Sequence, residues 1–131
     1  MTPYATQQAI DAFISDNWTT TSIRNASEAA PSLPYIEPHV LFGDMIGLEI
    51  GGIAERIGVI DINIFTRIDK GNLEGFAYGG SLEKKFWHKS TGSIYFENGS
   101  QMPSTRKIGI DKARQAFHFQ TQIPFSIIME Y

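Results

Sequence analysis

Hydrophobic and polar residues follow two different periods along this chain. From about residue 3 to 16 the spacing is helical. Ala5, Ala9, Ile10, Phe13 and Ile14 form an apolar stripe, and Gln7, Gln8, Asp11 and Ser15 form the wet side. Thr2 can cap this helix, and Pro3 suits its first position, where the missing N–H costs nothing. The stretch from Asn17 to Ser32 is polar and turn-rich, with Trp18 and Ile23 as its anchors. From Tyr35 to Phe42 the period becomes two. Tyr35, Glu37 and His39 share one face, and Ile36, Val40 and Phe42 share the other. Pro38 interrupts that strand and predicts an edge position or a bulge.

The segment Gly43 to Gly52 interleaves glycines at 43, 47, 51 and 52 with Met45, Ile46, Leu48 and Ile50. A loop seldom needs that much apolar surface. Either it folds onto its own core, or it is an arm that buries itself on a partner. Ile53 to Ile68 is the clearest strand, with Ile60, Ile62, Ile64, Thr66 and Ile68 on one face. Val59, Asp61, Asn63, Phe65 and Arg67 lie on the other face. After a turn at Asp69–Asn72, a second helix is predicted from about Leu73 to Trp87. Its expected core-facing set is Phe76, Gly79, Gly80, Leu82, the stem of Glu83 and Phe86. Three internal glycines weaken it by roughly 1 kcal/mol each relative to alanine, unless they allow a close approach to a sheet. Short strands are predicted at Ser93–Glu97 and Arg106–Ile110, with Asn98-Gly99 as a hairpin turn. A long closing strand runs from Ala116 to Tyr131, where Pro124 marks another edge or bulge. The expected fold is one α+β domain over residues 1–131. It has two layers: a mainly antiparallel, mixed sheet, with two helices on one face and a protruding β-hairpin.

Composition adds mostly exclusions. Isoleucine outnumbers leucine 18 to 5, which agrees with a strand-rich chain. With no cysteine, disulfides, thiol catalysis and cysteine-ligated metals are out. No apolar run approaches the ~20 residues of a membrane span. The net charge of −3 and the absence of a clustered basic face speak against nucleic-acid binding. Lys84-Lys85 and Arg106-Lys107 read as solvated faces. The N-terminus lacks the features of a signal peptide, so the sequons at Asn17, Asn25 and Asn98 are expected to be idle and the setting intracellular.

Candidate chemistry is sparse. His39, His88 and His118 have no metal-ligand spacing. Glu37 and His39 share a strand face, and with Asp61 they are the only acid–base candidates. No phosphate loop and no nucleophile elbow occur. No catalytic residue, metal or cofactor is therefore expected, and the chain is not expected to be an enzyme. The informative surplus is apolar, in the 43–53 segment and the two-sided strand from Val59 to Phe65. Such a surplus marks either an interface or a completed core.

The chain as a whole resembles a known group. An amphipathic N-terminal helix precedes Pro34-Tyr35-Ile36-Glu37-Pro38-His39-Val40-Leu41-Phe42 and a Gly-rich hairpin. Next comes the most specific part, Arg56-x-Gly58-x-Ile60-x-Ile62-x-Ile64-Phe65. A helix ending Lys85-Phe86 and a closing strand through Gln122-Ile123-Pro124-Phe125-Ser126-Ile127 complete the pattern. From about residue 4 to 131 this is similar to the tail terminator, or tail completion, proteins of long-tailed bacteriophages and gene transfer agents. The chain departs from that pattern in its Gly-rich helix at 75–80 and its long 89–113 region. The resemblance implies a structural virion protein, assembled in the host cytoplasm and placed at the head-proximal end of the tail. A homo-hexameric ring would cap the tail tube protein, end its polymerisation and present a face to a head–tail connector protein. DNA would pass through the lumen without specific binding. Met45, Ile46, Leu48, Ile50 and Arg56 would then be the subunit or tube interface. The alternatives are another head–tail connector, an adaptor or stopper, or a small α+β enzyme or ligand-binding domain built on Glu37, His39 and Asp61.

Overall fold

A computed structural model describes residues 2–25, 28–47 and 51–130. Helix α1 (Pro3–Asn17) begins as its sequence predicts: the Thr2 hydroxyl accepts a hydrogen bond from the Ala5 N–H at 3.1 Å, and Pro3 occupies the first turn. It buries Thr6, Ile10 and Ile14 and half-buries Ala9 and Phe13. The helix stops where Trp18 turns extended. Trp18 is itself buried, and its indole N–H donates to the Thr21 hydroxyl at 2.8 Å, so the polar edge of a core residue is satisfied.

Among the described residues seven strands form one sheet: β1 (Ser22–Ile23), β2 (Tyr35–Gly47), β3 (Ile53–Arg67), β4 (Ser90–Thr91), β5 (Ile94–Tyr95), β6 (Ser104–Asp111) and β7 (Ala116–Glu130). The order is β1-β2-β3-β7-β5-β4, and β6 also pairs with β7. Only the β1–β2 pair is parallel, so the sheet is mixed. It curls into a half-barrel, and the fold is α+β as the sequence predicts. Ile60, Ile62 and Ile64 of β3 meet Phe119, Ile123, Phe125 and Ile127 of β7 in a core closed by α1 and by α2 (Gly71–Phe86). The opposite, open face carries Tyr35, Glu37, His39 and Leu41 of β2. In register beside them are Phe65, Asn63, Asp61 and Val59 of β3, then His118, Gln120, Gln122 and Pro124 of β7.

The second helix buries Gly79, Leu82 and Phe86 as expected, but its contact face turns away from Phe76 and Gly80 towards Gly75. Its buried set is Gly75, Gly79, Leu82 and Phe86, while Phe76 is about half exposed and Gly80 faces open space. The reason is steric. A Cβ at Gly75 would lie 2.0 Å from the Phe119 ring, and one at Gly79 would lie 2.3 Å from Thr105. The helix therefore presses its two smallest positions onto β7 and β6. Phe76 is turned to the rim, where its ring meets Phe119 edge-on at 5.0 Å. Ile68, expected to extend the strand, instead opens a short 3-10 turn (Ile68–Lys70) and is exposed.

Two further expectations change. The short strand at 93–97 shrinks to Ile94–Tyr95, which folds back on β4 across Gly92, a glycine with φ +57°. Asn98-Gly99 does make a turn, closed by the Gln101 N–H donating to the Asn98 carbonyl at 3.0 Å, but a single bridge replaces the expected hairpin. Both prolines fall where a strand lacks a neighbour. In a strand, the N–H and C=O of one residue point to the same side and alternate along the chain. The Arg24 N–H donates to the Ile36 carbonyl at 2.8 Å, so Ile36, Pro38, Val40 and Phe42 point away from β3. The missing N–H of Pro38 thus belongs to the outer edge. Carried through the register to β7, the same alternation turns Pro124 outward, into the gap between β6, which ends its pairing at Gln122, and β5, which begins at Ser126.

Candidate functional site

Two features stand out once the strands are in register. The first is apolar. Leu41, Ile46 and Ile128 are each about half exposed, and they share the open face with half-buried Ile57 and Val59. Met45, equally exposed, lies on the opposite face because a bulge between Phe42 and Met45 shifts the register by one residue. Of the interface residues expected from the sequence, Met45 and Ile46 are therefore surface residues of the hairpin. Leu48 and Ile50 lie outside the described residues. Arg56 is half-buried, with its guanidinium carbon 5.7 Å from the centre of the Phe42 ring and its Nε without a hydrogen-bond partner.

The second feature is a polar network at the other end of the open face. Glu37 is buried, and its carboxylate is held between Arg24 at 3.1 Å and Arg114 at 3.6 Å. Arg114 also donates to the Tyr35 hydroxyl at 2.9 Å and to Asp111 at 2.6 Å, and its guanidinium sits 4.4 Å from the centre of the Phe65 ring. Phe65 stacks on His118 at 4.7 Å, and His118 Nε2 lies 2.8 Å from Asn63 Oδ1. Gln120 joins Asn63 to Arg106. Four strands and the β6–β7 turn are stitched together in this way.

The electrostatics follow from that packing. Burial pulls the Arg114 guanidinium down, but its bonds to Tyr35 and Asp111 outweigh this and leave its pKa raised. The backbone N–H of Arg114 leads the contacts that hold the Asp111 carboxyl below its ordinary range. Burial lowers His118, and Arg114 adds to that effect. At the far side of the core, burial and the neighbouring Glu74 raise the Tyr78 hydroxyl.

The acid–base candidates from the sequence are close together but differently engaged. His39 stands opposite Asp61 in register, and its Nε2 is 3.9 Å from Glu37. Glu37 is committed to two arginines, and one oxygen of Asp61 is shielded without a partner. His88 lies apart, stacked on Trp87. Among the described residues, no three potential metal ligands are grouped. A shallow cleft of about 300 Å³ lies between α2 and the 98–103 loop, lined by Glu83, Lys84, Trp87, Met102 and Pro103. A second depression of about 370 Å³ lies on the open face, among Val59, Gln101, Met102, Ser104, Gln122 and Pro124. Neither contains Glu37, His39 or Asp61. No described helix is long and apolar enough to cross a membrane.

The network is the part that the sequence reading missed. Alternation placed Tyr35 with Glu37, and Asn63 with Phe65, on single strand faces. Nothing in the sequence pattern says that Arg24, from a turn-rich loop, and Arg114, from a four-residue turn, converge on Glu37.

Comparison with known proteins adds the fold alone. No protein-family model and no curated protein matches this chain. A solved structure that carries no functional description aligns over 97% of this chain and 96% of its own, with a TM-score of 0.71 at 14% identity. At that identity the shared feature is the α+β architecture.

Proposed function

We propose that this chain is a structural subunit of a phage tail, a tail terminator that closes into a hexameric ring on the tail tube. Its other face would be offered to the head–tail connector. The observation that carries this reading is the apolar surface of the β2–β3 hairpin. Leu41 and Ile46 of the hairpin and Ile128 of the adjoining β7 are exposed on the open face, with Met45 exposed on the other face, at one end of a chain whose core is already filled by isoleucine and phenylalanine. Exposed apolar surface of that kind marks an interaction site. The resemblance read along residues 4–131 supplies the identity of the partners. The commitment of Glu37 to Arg24 and Arg114 makes it a structural carboxylate rather than a free general base, which weakens the competing enzyme reading.

The test is assembly. Six copies of a 14.6 kDa chain weigh about 88 kDa, and a ring of that mass is expected by light scattering and negative-stain imaging, alone or on added tail tubes. Ile46→Asp and Leu48→Asp are expected to abolish ring formation and tube capping by at least tenfold in affinity, with unchanged thermal unfolding of the monomer. Rings that form equally well with both substitutions would remove the hairpin from the interface. Binding to the connector with no affinity for the tube would instead make the chain an adaptor or stopper.

A further inference from the structure

Besides the outer sides of the two-residue strands β1 and β4, two longer strand edges are unpaired among the described residues, and they lie at different places on the sheet. Among the described residues, β2 meets β1 only at Tyr35 and Ile36. From Glu37 to Gly47 none of the described residues forms a strand on its outer side or a backbone hydrogen bond to it there. The alternation worked out above turns the backbone groups of Val40 and Phe42 outward. Beyond the bulge, Ile46 pairs with Glu55, so Met45 and Gly47 become the outward residues. The second edge is β6. Its partner is β7 alone, and the residues opposite Gln122, Gln120 and His118 are Ser104, Arg106 and Gly109. Thr105, Lys107 and Ile110 therefore point outward. The free run of β2 and the eight residues of β6 are of similar length, and each contains one bulge.

Their charges differ. Along its free run β2 exposes Asp44, with Glu37 already consumed inside the network. β6 exposes Arg106 and Lys107, whose hydrogen-bond partners, Gln120 and Asn72, are neutral and leave both charges uncompensated, and its acidic Asp111 is engaged by Arg114. Pairing two β2 edges about a dyad would bring Asp44 towards its own copy. Pairing β2 with β6 brings Asp44 towards two cations. An unpaired edge with exposed Met45 and Ile46 is also a ready template for another strand.

We infer that the free edge of β2 in one copy pairs with the free edge of β6 in the next, so that the sheet continues from subunit to subunit around the assembly. This rests on the ring reading and names the contact that closes it. The pairing is head-to-tail: each copy gives one edge and receives the other, as a closed ring requires.

The chain has no cysteine, so engineered thiols are the only ones present. Asp44→Cys is combined in turn with Arg106→Cys, Lys107→Cys and Ile108→Cys, which spans the possible registers, and each protein is oxidised and run without reductant. At least one double variant is expected to give a ladder of covalent multimers, and each single variant only monomer. A prominent dimer from Asp44→Cys alone means two β2 edges meet, and overturns the inference. Ring-sized particles by light scattering with no ladder from any pair also overturn it, while leaving the ring reading intact. A chain that stays monomeric at high concentration and on tail tubes, with no ladder, overturns both. Met45→Pro gives an independent reading, because it deletes an outward N–H and no hydrogen bond within the chain. It is expected to weaken assembly at least tenfold with cooperative unfolding retained. Unweakened assembly would exclude this stretch of the edge.

Discussion

Arg114 satisfies four neighbours at once: the Glu37 and Asp111 carboxylates, the Tyr35 hydroxyl and the face of the Phe65 ring. Its stem lies in the turn between β6 and β7, so one side chain ties that turn to β2 and β3. Removing it would leave the buried Glu37 with Arg24 as its one remaining arginine, and a buried carboxylate losing a partner is costly. Arg114→Ala is expected to lower the unfolding free energy by about 2–3 kcal/mol, seen as a lower urea midpoint at constant slope. Arg114→Lys should recover less than half of that, because an ammonium cannot fork between two acceptors and stack on a ring. A loss within a few tenths of a kcal/mol would mean that solvent already screens the network. His118, in the same network, adds a pH dependence. Burial lowers its folded pKa below the ordinary value of 6.5, so the unfolded chain takes up the proton first. Stability is thus full above about 6.5 and declines as pH falls from there through the lower folded pKa. His118→Gln, which can keep a hydrogen bond to Asn63, is expected to flatten that decline in thermal melts between pH 7.5 and 5. An unaltered slope would assign it to other groups.

At the scale of elements, α2 is the informative case. Its sequence is glycine-rich where a helix usually avoids glycine, and the docking geometry explains why. Gly75 and Gly79 are contact points, whereas Gly80 touches nothing. The same substitution should therefore have opposite signs at Gly75 and at Gly80, five residues on. Gly75→Ala drives a methyl group into the Phe119 ring and is expected to cost about 1–3 kcal/mol. Gly80→Ala gains helix propensity in open space and is expected to stabilise by about 0.5–1 kcal/mol. Urea or thermal unfolding of the two variants checks both signs, and equal effects would refute the close docking of this helix. The helix itself was legible from its periodicity and its flanking turn, and so were Gly79, Leu82 and Phe86 on its contact face, but Gly75 was not. Phe76 outranks Gly75 on any hydrophobicity scale, and only the bulk of Phe119 on the facing strand reverses the choice. The long strands β2, β3 and β7 were legible for the converse reason. Their alternation is nearly unbroken, and burial of one face enforces it. β1 and β4 were missed because two residues carry no period at all.

At the scale of the molecule, everything depends on the last strand. β7 pairs with β3 along its whole length on one side, and with β6 and then β5 on the other. It also supplies Phe119, Ile123, Phe125 and Ile127 to the core against which α2 packs. The nearest strand in sequence, β6, precedes it by a short turn, but β3 lies some fifty residues away, so most of this pairing is non-local. Without β7 the hairpin of β2 and β3 would keep its own ladder but lose one side of its core. α2 would have no surface for Gly75, β6 would have no partner, and β5 would keep only the two-residue β4. A two-stranded hairpin with a loose helix is at best marginally stable in water. A chain ending at Gln115 is therefore expected to show no cooperative thermal transition and poor amide protection throughout. Adding residues 116–131 back as a separate peptide should restore the transition in a concentration-dependent way, because the peptide would bind only the folded form. If the shortened chain melts cooperatively by itself, the core of β2, β3 and α1 is self-sufficient. In that case β7 would be an addition to a smaller folding unit rather than its centre.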